Sequence, residues 1–189
     1  MVKFNNVNFS YGKKQILKDF NLEIKDGERI CLFAPSGYGK TTVLRLIMGL
    51  CKPQSGTVQG IEDKTYSVVF QEDRLLPSKT VYENVTLFGG DEDTEELLSE
   101  LGLSDAANLY PAELSGGMAR RVAIARALNR KGDIYIFDEP FNGIDRENLE
   151  KTAGFILEKT DGKTFIAVSH SPFEAELLKT KIVNIKKSQ

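Results

Sequence analysis

The residues Ala34-Pro35-Ser36-Gly37-Tyr38-Gly39-Lys40-Thr41 have the composition of a loop that cradles phosphate. They fit the pattern G-x-x-x-x-G-K-[ST] everywhere except the first position, where an alanine stands. Small residues let backbone N–H groups close around phosphate oxygens, and the start of a helix adds partial positive charge there. Lys40 would contact the β- and γ-phosphates, and Thr41 would bind Mg²⁺. A plain glycine-rich turn before a helix is the bland alternative. The strand before the loop and the helix after it favour the phosphate reading.

A second cluster of chemical groups is Ile134-Tyr135-Ile136-Phe137-Asp138-Glu139. Four apolar residues build a buried strand, and two carboxylates sit at its C-terminal end, where parallel sheets bind ligands. Asp138 would hold Mg²⁺ through water, and Glu139 would polarise an attacking water as a general base. Charged residues also follow buried strands merely to meet solvent, so this pair gains its meaning from the phosphate loop upstream. The third cluster is Leu114-Ser115-Gly116-Gly117-Met118, ahead of a long helical stretch. Ser115 is a good N-cap and two glycines leave the first amides open, which makes a second anion site in one chain or an ordinary capped helix.

Strands alternating with helices must position these groups. Spaced apolar residues Val2, Phe4, Val7 and Phe9 predict one early strand, and Ile16 to Ile24 a second. Asp26-Gly27 reads as a hairpin turn into a third strand, Glu28 to Phe33. Lys52 to Gly56 reads as a loop and Thr65 to Phe70 as a strand. From about Thr80 to Arg130 the pattern is helical, with Asp93 and Glu96 as a cap and Gly102 as a stop. Further on come a helix from Arg146 to Glu158, a buried strand from Thr164 to Val168, and a last strand from Lys181 to Ile185. Between the last two, Ser171-Pro172-Phe173-Glu174 opens a helix with a capping box. The fold class is therefore α/β: a mostly parallel sheet, N-terminal antiparallel strands and a helical insertion over 71–130 within a single domain, 1–189.

Composition agrees with a folded chain of that kind. A net charge of −2 gives no basic field for nucleic acid, and no apolar run approaches the roughly 20 residues that span a bilayer. Cys31 and Cys51 form no paired metal motif and read as two buried thiols, and a lone histidine, His170, cannot build a multi-histidine metal site.

Taken together, the three clusters resemble those of the ABC ATPases, nearly end to end. Their signature reads Leu-Ser-Gly-Gly-Gln; here Met118 takes the place of the glutamine. The resemblance implies ATP as substrate, Mg²⁺ as cofactor and a head-to-tail pair of chains in which Ser115, Gly116 and Gly117 of one complete the phosphate site of the other. It adds Gln71 as the glutamine that senses Mg²⁺ and water, and Asp145 at the end of Asn142-Gly143-Ile144-Asp145. It also adds His170 as the histidine at the γ-phosphate and Tyr11 as the aromatic that stacks on adenine. The nucleotide-binding set is then Tyr11, Ser36, Gly37, Gly39, Lys40, Thr41 and Thr42, with Lys40, Gln71, Glu139 and His170 acting in hydrolysis and Thr41, Gln71 and Asp138 toward the metal.

The segment Val69 to Val85 is similar to the importer ATPases for nitrate, sulfonate and taurine. In that group this segment lies beside the groove that receives a helix of the membrane subunit. The implied partners are a membrane-spanning permease, a second copy of the ATPase and, indirectly, a periplasmic or extracellular substrate-binding protein. The implied location is the cytoplasm, at the inner face of the cell membrane. Two alternatives stay open: an ABC-type ATPase without a membrane partner, and a P-loop kinase for a small molecule. The latter would leave Ser115-Gly116-Gly117 and His170 unexplained. Ala34, the bulky Tyr38, Met118 and Gly143 depart from the usual pattern, with Tyr38 expected to meet a neighbouring chain or the nucleotide.

Overall fold

The computed structural model of the chain describes residues 1–35 and 37–185; Ser36 of the expected phosphate loop and residues 186–189 lie outside the described residues. Along the chain come β1 (Val2–Tyr11), β2 (Lys14–Ile24), β3 (Arg29–Phe33), α1 (Lys40–Ile47), β4 (Ser55–Gln59) and β5 (Tyr66–Val69). Then follow α2 (Val81–Thr86), α3 (Thr94–Glu100) and α4 (Gly116–Asn129), with two short 3-10 turns between α3 and α4. The chain continues through β6 (Ile134–Asp138), α5 (Arg146–Lys159), β7 (Thr164–Val168), α6 (Pro172–Leu177) and β8 (Lys181–Asn184).

Five of these strands form one sheet in the order β5-β6-β7-β3-β8, parallel at every pairing. β6 and β7 are buried along their whole length, which is why their sequences are continuous apolar runs. Their side chains alternate between two cores. Ile134, Ile136, Ile166 and Val168 pack with Val43, Leu46 and Ile47 of α1. Tyr135, Phe137, Phe165 and Ala167 pack on the other face with Val122, Ile124 and Ala125 of α4 and Ile156 of α5. Phe137 is fully buried, so Phe137→Ala would cost about 3–5 kcal/mol.

The second sheet is antiparallel, in the order β2-β1-β4, and covers the α1 side. In β1 the apolar spacing changes from two to three between Phe4 and Val7. An irregularity there, with Asn6 at φ 47°, turns Val2, Phe4, Val7 and Phe9 to the same core.

Several local expectations are corrected. Asp26-Gly27 is not a hairpin turn: β3 leaves β2 behind and enters the parallel sheet between β7 and β8. β4 occupies part of what reads as a loop; its residues are mostly exposed, and pairing with β1 is what extends them. Asp93 stands at the start of α3 without a side-chain cap and instead pairs with Lys131 at 2.5 Å. Gly102 does follow the end of α3, at φ 63°. Ser171 caps α6, but Glu174 does not close a box; its carboxylate accepts from Ser169 Oγ at 2.6 Å. Cys31 is buried, with its thiol pKa pushed up to about 11 by burial, whereas Cys51 is half-buried.

The stretch between β5 and β6 is tied by buried amides. Thr80 caps α2 in a reciprocal box with Glu83. Asn84, wholly buried, accepts from Leu76 N at 2.8 Å and donates to the carbonyls of Lys79 and Thr80, holding the turn ahead of α2. Among the described residues no helix is long and apolar enough to cross a membrane.

Candidate active site

The loop after β3 leads into α1, whose N-cap is Gly39 at φ 91°. A Cβ there would lie 2.8 Å from Ile16 Cγ2, so both backbone geometry and space demand glycine. Ala34 does not adopt a positive φ, so the departure from glycine costs no strain. Lys40 is buried and donates from Nζ to the carbonyls of Ala34, at 2.5 Å, and Pro35, at 3.2 Å. Burial lowers its pKa, opposed by the negative charges of Glu139 and Asp138. Tyr38 is half-buried, with part of its side chain packed on the core that includes α1.

Asp138 ends β6, opposite Val168 of β7. Its pKa is raised by burial and by the neighbouring Glu139, against the pull of Arg120, Lys40 and His170. Glu139 follows at φ 50°, its N–H donating to Val168 O at 2.9 Å, so the chain turns and brings the carboxylate toward β7. There Glu139 Oε1 lies 2.9 Å from Nε2 of His170, which follows β7. The three sources of chemistry thus come from the ends of neighbouring strands: Asp138 and Glu139 at the end of β6, His170 just after β7, and Lys40 and Thr41 in the first turn of α1, which follows β3. Two strand spacings, about 10 Å, separate β6 from β3, room for a polyphosphate between carboxylates and lysine.

These groups line one open cavity of about 350 Å³, with Tyr11, Gly37, Gly39, Lys40, Thr41, Thr42, Gln71, Asp138, Glu139 and His170 on its walls. Tyr11 is 45% exposed; Phe9 packs edge-on against it at 4.9 Å between centroids, and its hydroxyl accepts from Arg45 at 3.0 Å. Lys14 and Ile16 also line the cavity and escaped sequence reasoning. Lys14 pairs with Tyr11 across the β1–β2 turn, a placement set by strand register and not by any motif. Gln71 is exposed and stands between this cavity and a second one of about 310 Å³ behind α1.

Among the described residues no group of three or more His, Cys, Asp or Glu side chains is gathered to hold a metal alone. Thr41, Gln71 and Asp138 instead line the same cavity with oxygen donors, and Asp138 is a buried carboxylate whose pKa is raised chiefly by burial. That set fits Mg²⁺ bound jointly with phosphate oxygens.

Ser115, Gly116, Gly117 and Asp145 do not line this cavity. Ser115 caps α4 by accepting from Met118 N at 3.2 Å, and Asp145 caps α5 by accepting from Asn148 N at 3.1 Å. The two loops touch: a Cβ on Gly117 would meet Gly143 O at 2.7 Å, and Gly143, at φ 78°, itself occupies a conformation suited to glycine. Met118 is half-buried and turns into the α4 core. One residue absent from the sequence expectations is Arg120, at 2% exposure on the first turns of α4 and hydrogen-bonded to the backbone beside Gln71 and Glu139.

Comparison with known proteins places this geometry among relatives. Residues 17–142 match the family described as ABC transporter. The chain is 37% identical to the aliphatic sulfonates import ATP-binding protein SsuB 3 of Rhodococcus jostii, covering 96% of this chain and 70% of that protein. It is 35% identical to the arginine transport ATP-binding protein ArtM of Bacillus subtilis, covering 90% and 81%. Among solved structures it is similar to the ATP-binding cassette MJ0796, a dimer in a post-hydrolysis state bound to ADP and Pi. The TM-score is 0.85 at 33% identity, over 98% of this chain and 94% of that one.

Proposed function

Because the chain belongs to the ABC transporter family of ATP-binding proteins, we propose that it is the ATP-hydrolysing subunit of an importer and works as a head-to-tail pair. The observation that carries this reading is the single cavity in which Lys40, Asp138, Glu139 and His170 converge from three neighbouring strands while Ser115-Gly116-Gly117 lies elsewhere. A site that holds the phosphate loop and carboxylates but not the second amide cluster is completed by another copy.

The chain's own residues divide the work. Tyr11 stacks on the base and the amides after β3, with Lys40, take the phosphates. A phosphate would replace the carbonyls that Lys40 now contacts. Glu139 orients and deprotonates the water, and His170, in hydrogen-bond reach of Glu139, reads the γ-phosphate from the same side. Mg²⁺ at Thr41, Gln71 and Asp138 would supply charge neutralisation on the phosphates. Residues 71–130 serve as the helical subdomain that carries Ser115 to the partner's site.

A membrane subunit is supported by a mostly apolar groove of about 340 Å³ lined by Phe70, Leu76, Leu87, Phe88 and Ala127. Arg74 stacks over Phe70 at 4.1 Å and Arg130 over Phe88 at 5.4 Å, so the rim is cationic. Leu87 and Phe88 are exposed there, at 41% and 57%, which suits a docked helix better than solvent. The chain would then sit at the inner face of the membrane through that partner, with a substrate-binding protein acting beyond it. The transported solute follows the relatives: a sulfonate-like anion is the reading, with an amino acid as the competing one.

The test is light scattering on Glu139→Gln with and without Mg-ATP. The expected result is an ATP-dependent dimer, with turnover reduced about 10²- to 10⁴-fold by loss of the base. A variant that hydrolyses ATP at the original rate would remove Glu139 from the role of base, and one that binds ATP and stays monomeric would sink the paired mechanism.

A further inference from the structure

Arg120 is the largest fully buried side chain and the one arginine at that depth among the described residues, and it does not itself line the cavity. Its guanidinium faces two chain segments at once. On one side it donates to Phe70 O, to Gln71 O at 3.4 Å and to Asp73 Oδ1 at 3.0 Å. On the other it donates to Asp138 O, to Glu139 O at 2.6 Å and to Pro140 O at 3.1 Å. A single planar fork therefore staples the strand end bearing Gln71 to the strand end bearing both carboxylates.

We propose that Arg120 is a positioning residue for hydrolysis: it sets the main chain of Gln71 and Glu139 together, and does so from the helix that Ser115 caps. This rests on the ATPase reading above. Glu139 holds a left-handed backbone, at φ 50°, which a residue with a side chain keeps only when its surroundings over-determine it. Arg120 accepts that task by binding the carbonyls immediately before, at and after Glu139. The five donors of arginine in a fixed fork are what reach both segments; the ammonium of lysine offers a point charge without the fork. Because the fork grows from α4, any shift of Ser115-Gly116-Gly117 on meeting the partner's nucleotide is transmitted to the carbonyls of this chain's own site.

The test compares the full chain with Arg120→Lys, Arg120→Met, Glu139→Gln and the double variant Arg120→Met/Glu139→Gln. Unfolding midpoint, ATP affinity by calorimetry and Mg-ATP turnover are read on each preparation. The expected result is ATP affinity within about threefold of the parent and turnover at least about 10-fold lower in both Arg120 variants, with no further loss when Arg120→Met is added to Glu139→Gln. Turnover within twofold of the parent in Arg120→Lys and Arg120→Met overturns the proposal. So does a fall in affinity and midpoint that accounts for the whole loss of turnover, since that is a folding role. A parent protein with no Glu139-dependent turnover overturns the ATPase reading itself, and the positioning role falls with it.

Discussion

His170 Nε2 lies 2.9 Å from Glu139 Oε1, across the ends of two adjacent parallel strands. Each side chain limits where the other can point. Removing the imidazole frees the carboxylate to rotate away from the water it would activate. His170→Ala is expected to lower turnover about 10- to 100-fold, the equivalent of one charge-assisted hydrogen bond worth about 1.5–3 kcal/mol, with ATP affinity nearly unchanged. Steady-state kinetics and calorimetry on the same variant check it; equal losses in both would make His170 a binding residue instead.

Lys40 is held by two carbonyls of its own loop and desolvated there, so its charge waits for an anion. Lys40→Ala should weaken ATP binding by about 10-fold or more, while ADP, which lacks the γ-phosphate, loses less. Titration with both nucleotides separates the two; an equal loss would place Lys40 on the inner phosphates alone.

Tyr11 presents a ring braced by Phe9 and pinned at its hydroxyl by Arg45. Loss of the ring in Tyr11→Ala should cost about 1–3 kcal/mol of ATP affinity, the range for a base stacked on an aromatic side chain. Tyr11→Phe and Arg45→Met should each change affinity by no more than about threefold, and together no more than either alone, because both delete the same hydrogen bond. Additive effects of these two would assign Arg45 a contact of its own.

Asp138 is a carboxylate that the fold makes harder to ionise, chiefly by burial. Its folded-state pKa is raised above that of the unfolded chain. The resulting loss of stability is absent where both states are protonated, builds up as pH rises from the ordinary carboxylate pKa to the raised one, and is full above the raised one. Asp138→Asn should therefore raise the unfolding midpoint of the nucleotide-free protein, by roughly 2–4 °C if the relief is about 1 kcal/mol. The same variant should lose the Mg²⁺ dependence of ATP binding. A lower midpoint at neutral pH would mean that the charge is stabilising in place.

Much of this site was legible because its carriers are local. The strand Ile134–Asp138 announces itself by four apolar residues ending in acid, and Gly39-Lys40-Thr41 by a loop that only glycine can make. β4 was not legible: Ser55–Gln59 is exposed and polar, and β1 rather than its own sequence extends it. The place of β3 was hidden for a related reason, since Asp26-Gly27 specifies a turn but not the sheet into which the chain turns. Arg120 was invisible because a charged residue on a helix ordinarily signals a solvated face. Its burial depends on six acceptors contributed by segments far along the chain.

Gly117 and Gly143 approach so closely that a Cβ on Gly117 would lie 2.7 Å from Gly143 O. In the proposed pair, the amides offered to the partner's nucleotide rest on the turn that follows this chain's own carboxylates. Departure of phosphate on one side would therefore disturb the wall of the other, and the two sites would keep a shared clock rather than fire independently. A chain with one defective site, paired with an intact one, would lose more than half of the pair's turnover.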